Sequence, residues 1–178
     1  TVAIQGIGNV GFYFAKIAQA ELGVNIVAVS NSKKTLLSMD GFDFADLQFS
    51  REVITEIEQQ ADLVEDPKTV LSEDVDVLVC AALDGAIHRD NQDGVTADEI
   101  LELANGPVDH TAHEHLTKLG KTIIPDIVAN AGGVIVSYYE WLQNKNGESW
   151  SIEKVRQSLD ETLTNATKEM LSYAQKNG

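Results

Sequence analysis

Short continuous apolar runs alternate with stretches of helical period along this chain, and that alternation predicts its elements. Thr1 to Gln5, Asn25 to Ser30 and Val75 to Leu83 are apolar nearly throughout, not at every second position. That is the pattern of strands covered on both faces. Ile100 to Leu103 and Thr122 to Ile124 are shorter runs of the same kind. Phe12 to Leu22 reads as a helix, and Asp43 to Ala61 as one or two helices. His113 to Leu119 reads as a short helix stopped by Gly120, a residue free to take the left-handed conformation that ends helices. Ala129 to Asn144 is helical in pattern, and Asn144 to Ser149 is a loop. Ser151 then opens a long helix whose apolar positions Ile152, Val155, Leu159, Leu163, Ala166, Met170 and Tyr173 follow the helical period. Strands alternating with helices predict an α/β fold with a parallel sheet and right-handed crossovers. No repeat or internal linker interrupts the pattern, so residues 1–178 are expected to form a single domain.

The first run ends in Gly6-Ile7-Gly8-Asn9-Val10-Gly11, a G-x-G-x-x-G between a strand and a helix. In a dinucleotide-binding turn the first glycine makes the bend and the second lets backbone approach a pyrophosphate. The third lets the helix pack close to the strand. The phosphates lie at the helix N-terminus, against N–H groups without an intrahelical partner. Read alone, the motif is also compatible with a plain strand-to-helix turn. With a strand before it, a helix after it and a second strand on schedule, it predicts a Rossmann-type three-layer sandwich with a mainly parallel sheet.

Composition narrows the partners. A net charge of −15 repels phosphate backbones, so no nucleic-acid partner is expected. No apolar run approaches the roughly 18 residues of a membrane span. The single Cys80 cannot form an internal disulfide, which fits a cytoplasmic location. Thr1 begins directly on a core strand, so the chain is expected to be a piece of something longer.

Ser30 and Asn31 end the second strand about twenty positions after Gly11, where dinucleotide folds read the adenosine ribose. An acid there accepts from the 2′-hydroxyl of NAD and repels the 2′-phosphate of NADP. Asn31 is neutral, with Ser30 and Ser32 beside it and Lys33 and Lys34 following. The set leans toward NADP, although a polar loop with solvated lysines reads the same way. Asn130, Val134 and Ser137 share one helical face, and Gly132 and Gly133 beside them suit a close ligand, although their spacing alone favours a helix-packing contact. Asn105-Gly106-Pro107 is a turn whose Asn amide suits a carboxamide or ribose. His110, His113 and His115 lack the spacing of a metal site and read as a solvated helix start.

Val2 to Gly11, Val27 to Ser32, Asp76 to Leu83, Ala104 to Pro107 and Ile124 to Asn144 resemble, in order, the cofactor domain of glutamate dehydrogenases. These belong to the superfamily that includes leucine, phenylalanine and valine dehydrogenases. The run from Asn130 to Ser137 followed by Tyr139-Glu140-Trp141 is similar to the glutamate branch. The resemblance implies NAD or NADP as cofactor, glutamate and 2-oxoglutarate as substrates, and a hexameric homo-oligomer as parent. It implies that Gly6, Gly8, Asn9, Val10 and Gly11 hold the pyrophosphate. Ala81 and Ala82 would border the adenine side and the nicotinamide ribose, and Asn105 and Asn130 the nicotinamide. Val134 and Ser137 match substrate-contacting positions. It implies no catalytic residue in this chain, since the catalytic Lys and Asp of the family lie in an N-terminal domain. Cys80 stands where the family usually has Pro, and Gly85 where it usually has Asn. Two other readings stay open: a non-catalytic dinucleotide-binding module, and an amino-acid dehydrogenase of other specificity.

Overall fold

The computed structural model describes residues 1–177, which pack as two compact units, one of Thr1–Asp126 and a second from Ile127 onward. The first is built on a seven-stranded sheet. Its strands are β1 (Val2–Gln5), β2 (Ile26–Ser30), β3 (Thr35–Leu37), β4 (Leu63–Glu65), β5 (Val77–Cys80), β6 (Glu99–Glu102) and β7 (Thr122–Ile124). They lie in the order β4-β3-β2-β1-β5-β6-β7. The helices are α1 (Asn9–Leu22), α2 (Val53–Ile57) and α3 (His110–Lys118), with α4 (Asp126–Ala129) at the boundary between the units.

In β1, β5 and β6 the continuous apolar runs divide by residue parity between the two faces, and β2 does so except at its start at Ile26, beside an irregularity in its pairing with β1. Ile4, Val29 and Val79 enter one core with Phe12 and Ala15 of α1 and with Leu36, Phe42 and Phe44. Ala3, Ala28, Leu78, Cys80 and Ile100 enter the other with Ala112 and Leu116 of α3. A strand buried on both faces needs apolar residues at odd and even positions alike, which is why these strands do not alternate.

The sheet is mainly parallel but not wholly so. β3 runs antiparallel to β2 and to β4. The reversal from β2 to β3 comes from a tight turn over Asn31–Lys34, where the Asn31 N–H donates to the Lys34 carbonyl (3.0 Å). A connection that short can only return antiparallel.

Two other expectations are corrected. Asp43 to Ala61 is helical only over Val53–Ile57 and a 3-10 turn at Glu58–Gln60. Its first part forms neither helix nor strand and bends at Ala45-Asp46, with Phe44 buried and Asp43 and Ala45 exposed; Phe42, just before it, is buried too. α1 holds it by side-chain bonds. Gln19 donates to the Phe42 carbonyl (2.8 Å) and accepts the Phe44 N–H (2.8 Å), and Lys16 donates to the Leu47 carbonyl (2.7 Å). Ala129 to Asn144 is not one helix: α4 ends at Ala129 and α5 (Gly132–Asn146) begins at Gly132. The two glycines therefore sit in a first turn, where their helix-breaking cost is least felt.

The second unit pairs α5 with α6 (Ile152–Asn177). Tyr139 is buried between them and donates its hydroxyl to the Ser158 carbonyl (2.9 Å). The Ser151 hydroxyl accepts the Lys154 N–H (3.3 Å), as its cap position requires.

Candidate functional site

Strand order fixes where a ligand can enter. From β1 the chain builds outward through β2, β3 and β4, then returns to the opposite side of β1 as β5. The connections leaving the carboxyl ends of β1 and β5 diverge, and a crevice opens between them, the usual ligand position in such sheets. The Gly6–Gly11 turn follows β1, and Ala81-Ala82 follow β5.

The three glycines have separable geometries. Gly6 has φ +94°, and a Cβ there would lie 2.5 Å from the Cβ of Ala82. A Cβ on Gly11 would lie 2.1 Å from the Gly6 carbonyl oxygen, so α1 meets β1 at backbone distance. A Cβ on Gly8 would meet nothing within 4 Å. Gly8 is the N-cap of α1 and has no side chain to offer, and the first turn of the helix carries no acidic residue. The first N–H groups of that turn have no intrahelical acceptor. The turn is pinned from beneath by the Ser30 carbonyl, which accepts from Gly6 N (3.1 Å) and Ile7 N (2.7 Å). Ser30 itself is buried, so its contribution to the turn is this backbone carbonyl.

Two clefts meet at Ala81-Ala82. One, of about 320 Å³, is lined by Gly6, Ile7, Gly8, Asn31, Arg51 and the start of α2. The other, of about 520 Å³, is lined by Val10, Leu83, Asp84, Leu103, Ala104 and Asn105. Candidate residues distant in sequence thus come together here. Asn9 lies at the exposed start of α1, and Gly11 is buried behind the turn.

The loop after β2 differs from the sequence expectation. Asn31 Oδ1 accepts the N–H groups of Lys33 (2.8 Å) and Lys34 (3.0 Å), which caps the hairpin turn. The Lys34 ammonium pairs with Glu58. The cation on the cleft wall is Arg51, which sequence reasoning missed. The segment before Arg51 forms no regular element and is held to α1 through Lys16 and Gln19, so no local pattern placed Arg51 on this wall.

The wider cleft is bounded by a chain of hydrogen bonds. Gly85 N donates to the Gly106 carbonyl (2.9 Å), Gly106 N to Asp126 Oδ2 (2.8 Å), and Asp126 N to Glu102 Oε2 (3.0 Å). Gly85 has φ +59°. Asn and Gly are the residues that take this conformation readily, so glycine at this position preserves the backbone that an Asn would adopt.

Cys80 lies beneath the site and is fully buried. Burial, and secondarily the charge of Glu102, push its thiol up to about 12. The neutral thiol is therefore the form the fold favours. This contribution is fully present below the unfolded thiol range near pH 8.5 and is lost as pH rises toward about 12. Cys80 is expected to resist a thiol reagent at pH 8 until urea unfolds the chain; labelling at the same rate with and without urea would contradict this.

Asn130, Val134 and Ser137 lie in the second unit. Val134 and Ser137 are exposed on α5, Val134 by 69%. The Ser137 hydroxyl donates to the Gly133 carbonyl (3.0 Å). His110 faces Glu114 one turn on (3.4 Å). Among the described residues no three His, Cys, Asp or Glu side chains converge as a metal site would require, and no helix is long and apolar enough to cross a membrane.

Residues 1–178 match the family model of Glutamate/Leucine/Phenylalanine/Valine dehydrogenase. Glutamate dehydrogenase of Thermotoga maritima is 39% identical over 177 residues, which cover 99% of this chain and 42% of that protein. NADP-specific glutamate dehydrogenase A1 of Halobacterium salinarum is 40% identical over 168 residues, 93% of this chain and 40% of that protein. The hetero-hexameric glutamate dehydrogenase of Thermus thermophilus, solved in a Leu-bound form, superposes with a TM-score of 0.84 at 30% identity, covering 98% of this chain and 41% of that one. The chain thus spans about two-fifths of the length of the relatives it matches. A family model matched from end to end identifies this chain as a member of the Glutamate/Leucine/Phenylalanine/Valine dehydrogenase family.

Proposed function

We propose that this chain is the cofactor-binding part of an NAD(P)-dependent glutamate dehydrogenase. The whole protein would convert L-glutamate, NAD(P)⁺ and water to 2-oxoglutarate, ammonia and NAD(P)H, or run the reverse. The observation that carries the reading is the open glycine turn between β1 and β5, with a cleft on each side of Ala81-Ala82. That arrangement fits a pyrophosphate at the turn with one nucleoside half in each cleft. Bound nicotinamide supplies the hydride chemistry.

In this reading Gly6, Ile7 and Gly8 approach the pyrophosphate, with the N–H groups of Asn9 and Val10 facing its charge. Asn31 and Arg51 border the adenosine, and Ala81, Ala82 and Asn105 the nicotinamide side. Arg51 beside a neutral Asn31 favours the 2′-phosphorylated cofactor, NADP. Asn130 serves the nicotinamide end, and Val134 and Ser137 the substrate. The acid and base groups lie in a catalytic domain outside this chain, and the parent is a homo-oligomer.

The test is steady-state assay of the full-length parent with glutamate against leucine, phenylalanine and valine. Glutamate is expected to be preferred. Ser137→Ala in that parent should raise KM for glutamate about threefold to tenfold, with KM for cofactor unchanged. Its hydroxyl already bonds the Gly133 carbonyl, so a substrate carboxylate exchanges one acceptor for a charged one, a net difference of about 1 kcal/mol. Equal KM values in both proteins would remove Ser137 from the substrate site, and a preference for leucine, phenylalanine or valine would overturn the assignment.

A further inference from the structure

Glu102 is a carboxylate only 5% exposed at the end of a core strand, where an apolar residue would be cheaper to bury. Its Oε2 accepts the Asp126 N–H (3.0 Å) and so fixes the first residue of α4. The Asp126 side chain turns back, and its Oδ2 accepts the Gly106 N–H (2.8 Å). Gly106 has φ +52° and precedes Pro107, which restricts it further. Its carbonyl accepts the Gly85 N–H (2.9 Å). The bonds therefore join the two loops that wall the wider cleft, the one carrying Leu83 and Asp84 and the one carrying Leu103 to Asn105.

We propose that Glu102 and Asp126 are positioning residues: a relay of two carboxylates that holds the Asn105-Gly106 turn against the wider cleft and sets where the nicotinamide half of a dinucleotide rests. The inference rests on the cofactor reading above. Neither carboxylate touches the cofactor. Each accepts a backbone N–H, and the geometry of the next residue depends on it. Asp126 is the sensitive member, because it both receives the constraint from Glu102 and delivers it to the turn.

The relay is tested by ligands that do and do not enter that cleft. This chain and its Asp126→Ala, Asp126→Asn and Glu102→Gln variants are titrated with NADPH and NADH, and with 2′-phospho-ADP-ribose and ADP-ribose, which lack nicotinamide. Asp126→Ala is expected to weaken the reduced dinucleotides about fivefold and the nicotinamide-free ligands less than about twofold. Asp126→Asn and Glu102→Gln keep an acceptor for the N–H they serve and should stay close to the parent chain. Circular dichroism confirms folding, and the amide variants carry the test should the alanine variant unfold. Equal loss for both ligand classes would make the relay structural only. An Asp126→Asn variant as impaired as Asp126→Ala would show that the acceptor is not what matters. ADP-ribose binding as tightly as NADH to the unaltered chain would overturn the relay and spare the cofactor reading. Failure of all four ligands to bind would overturn both.

Discussion

Gly8→Val is expected to abolish dinucleotide binding while leaving fold and melting temperature nearly unchanged. The two halves of that expectation come from different observations. A Cβ on Gly8 meets no atom within 4 Å, and its φ of −78° is open to any residue. The folded chain thus has room for a valine. That room lies on the wall of the cleft at the start of α1, where backbone N–H groups must come within hydrogen-bond distance of a phosphate. A branched side chain there holds the ligand off and costs those bonds together. Gly11 provides the contrast. Its Cβ would sit 2.1 Å from the Gly6 carbonyl oxygen, so even alanine must push α1 off β1. Gly8→Val is measured by cofactor fluorescence titration beside a thermal melt. Unchanged affinity would mean that the turn only connects β1 to α1.

The contrast between the two glycines also marks what was legible in the sequence. Gly6, Gly8 and Gly11 declared their tasks by spacing, because a strand-to-helix turn around a pyrophosphate permits few arrangements. The core strands β1, β2, β5 and β6 were legible as continuous apolar runs, since burial on both faces demands them, and the edge strand β7 by its run of β-branched residues. β3 and β4 were not. They are three residues each, like β7, but neither has its unbroken run of β-branched residues. Asp43 to Ala61 was misread for a related reason. Its path is set by Gln19 and Lys16 bonding its backbone from α1, a tertiary effect that no local pattern announces. The relay through Glu102 and Asp126 was illegible in the same way, because it runs through backbone N–H groups brought together by the sheet.

That misreading hid the residue on which the last expectation depends. Arg51→Ala should raise the Kd for NADPH about tenfold at low salt and change the Kd for NADH less than about twofold. The 2′-phosphate carries about −1.5 to −2 charges at neutral pH, by analogy with phosphorylated side chains. The chain's net −15 opposes it, so a local cation must supply the attraction. Arg51 shares the cleft with Asn31, and its planar fork can meet two phosphate oxygens at once. Lys34 is committed to Glu58, and Lys33 is solvent-exposed outside the lining. Lys33→Ala is therefore the control, with little effect on either cofactor. Salt separates a charge contact from a change in shape. The advantage of NADPH over NADH in the unaltered chain should shrink as salt shortens the Debye length toward about 3 Å near 1 M, and the Arg51→Ala variant should show little of that dependence. An NADPH-to-NADH ratio that is the same with and without Arg51 would remove it from the adenosine site. It would leave Asn31, neutral and committed to its own turn, as the feature that decides between the cofactors.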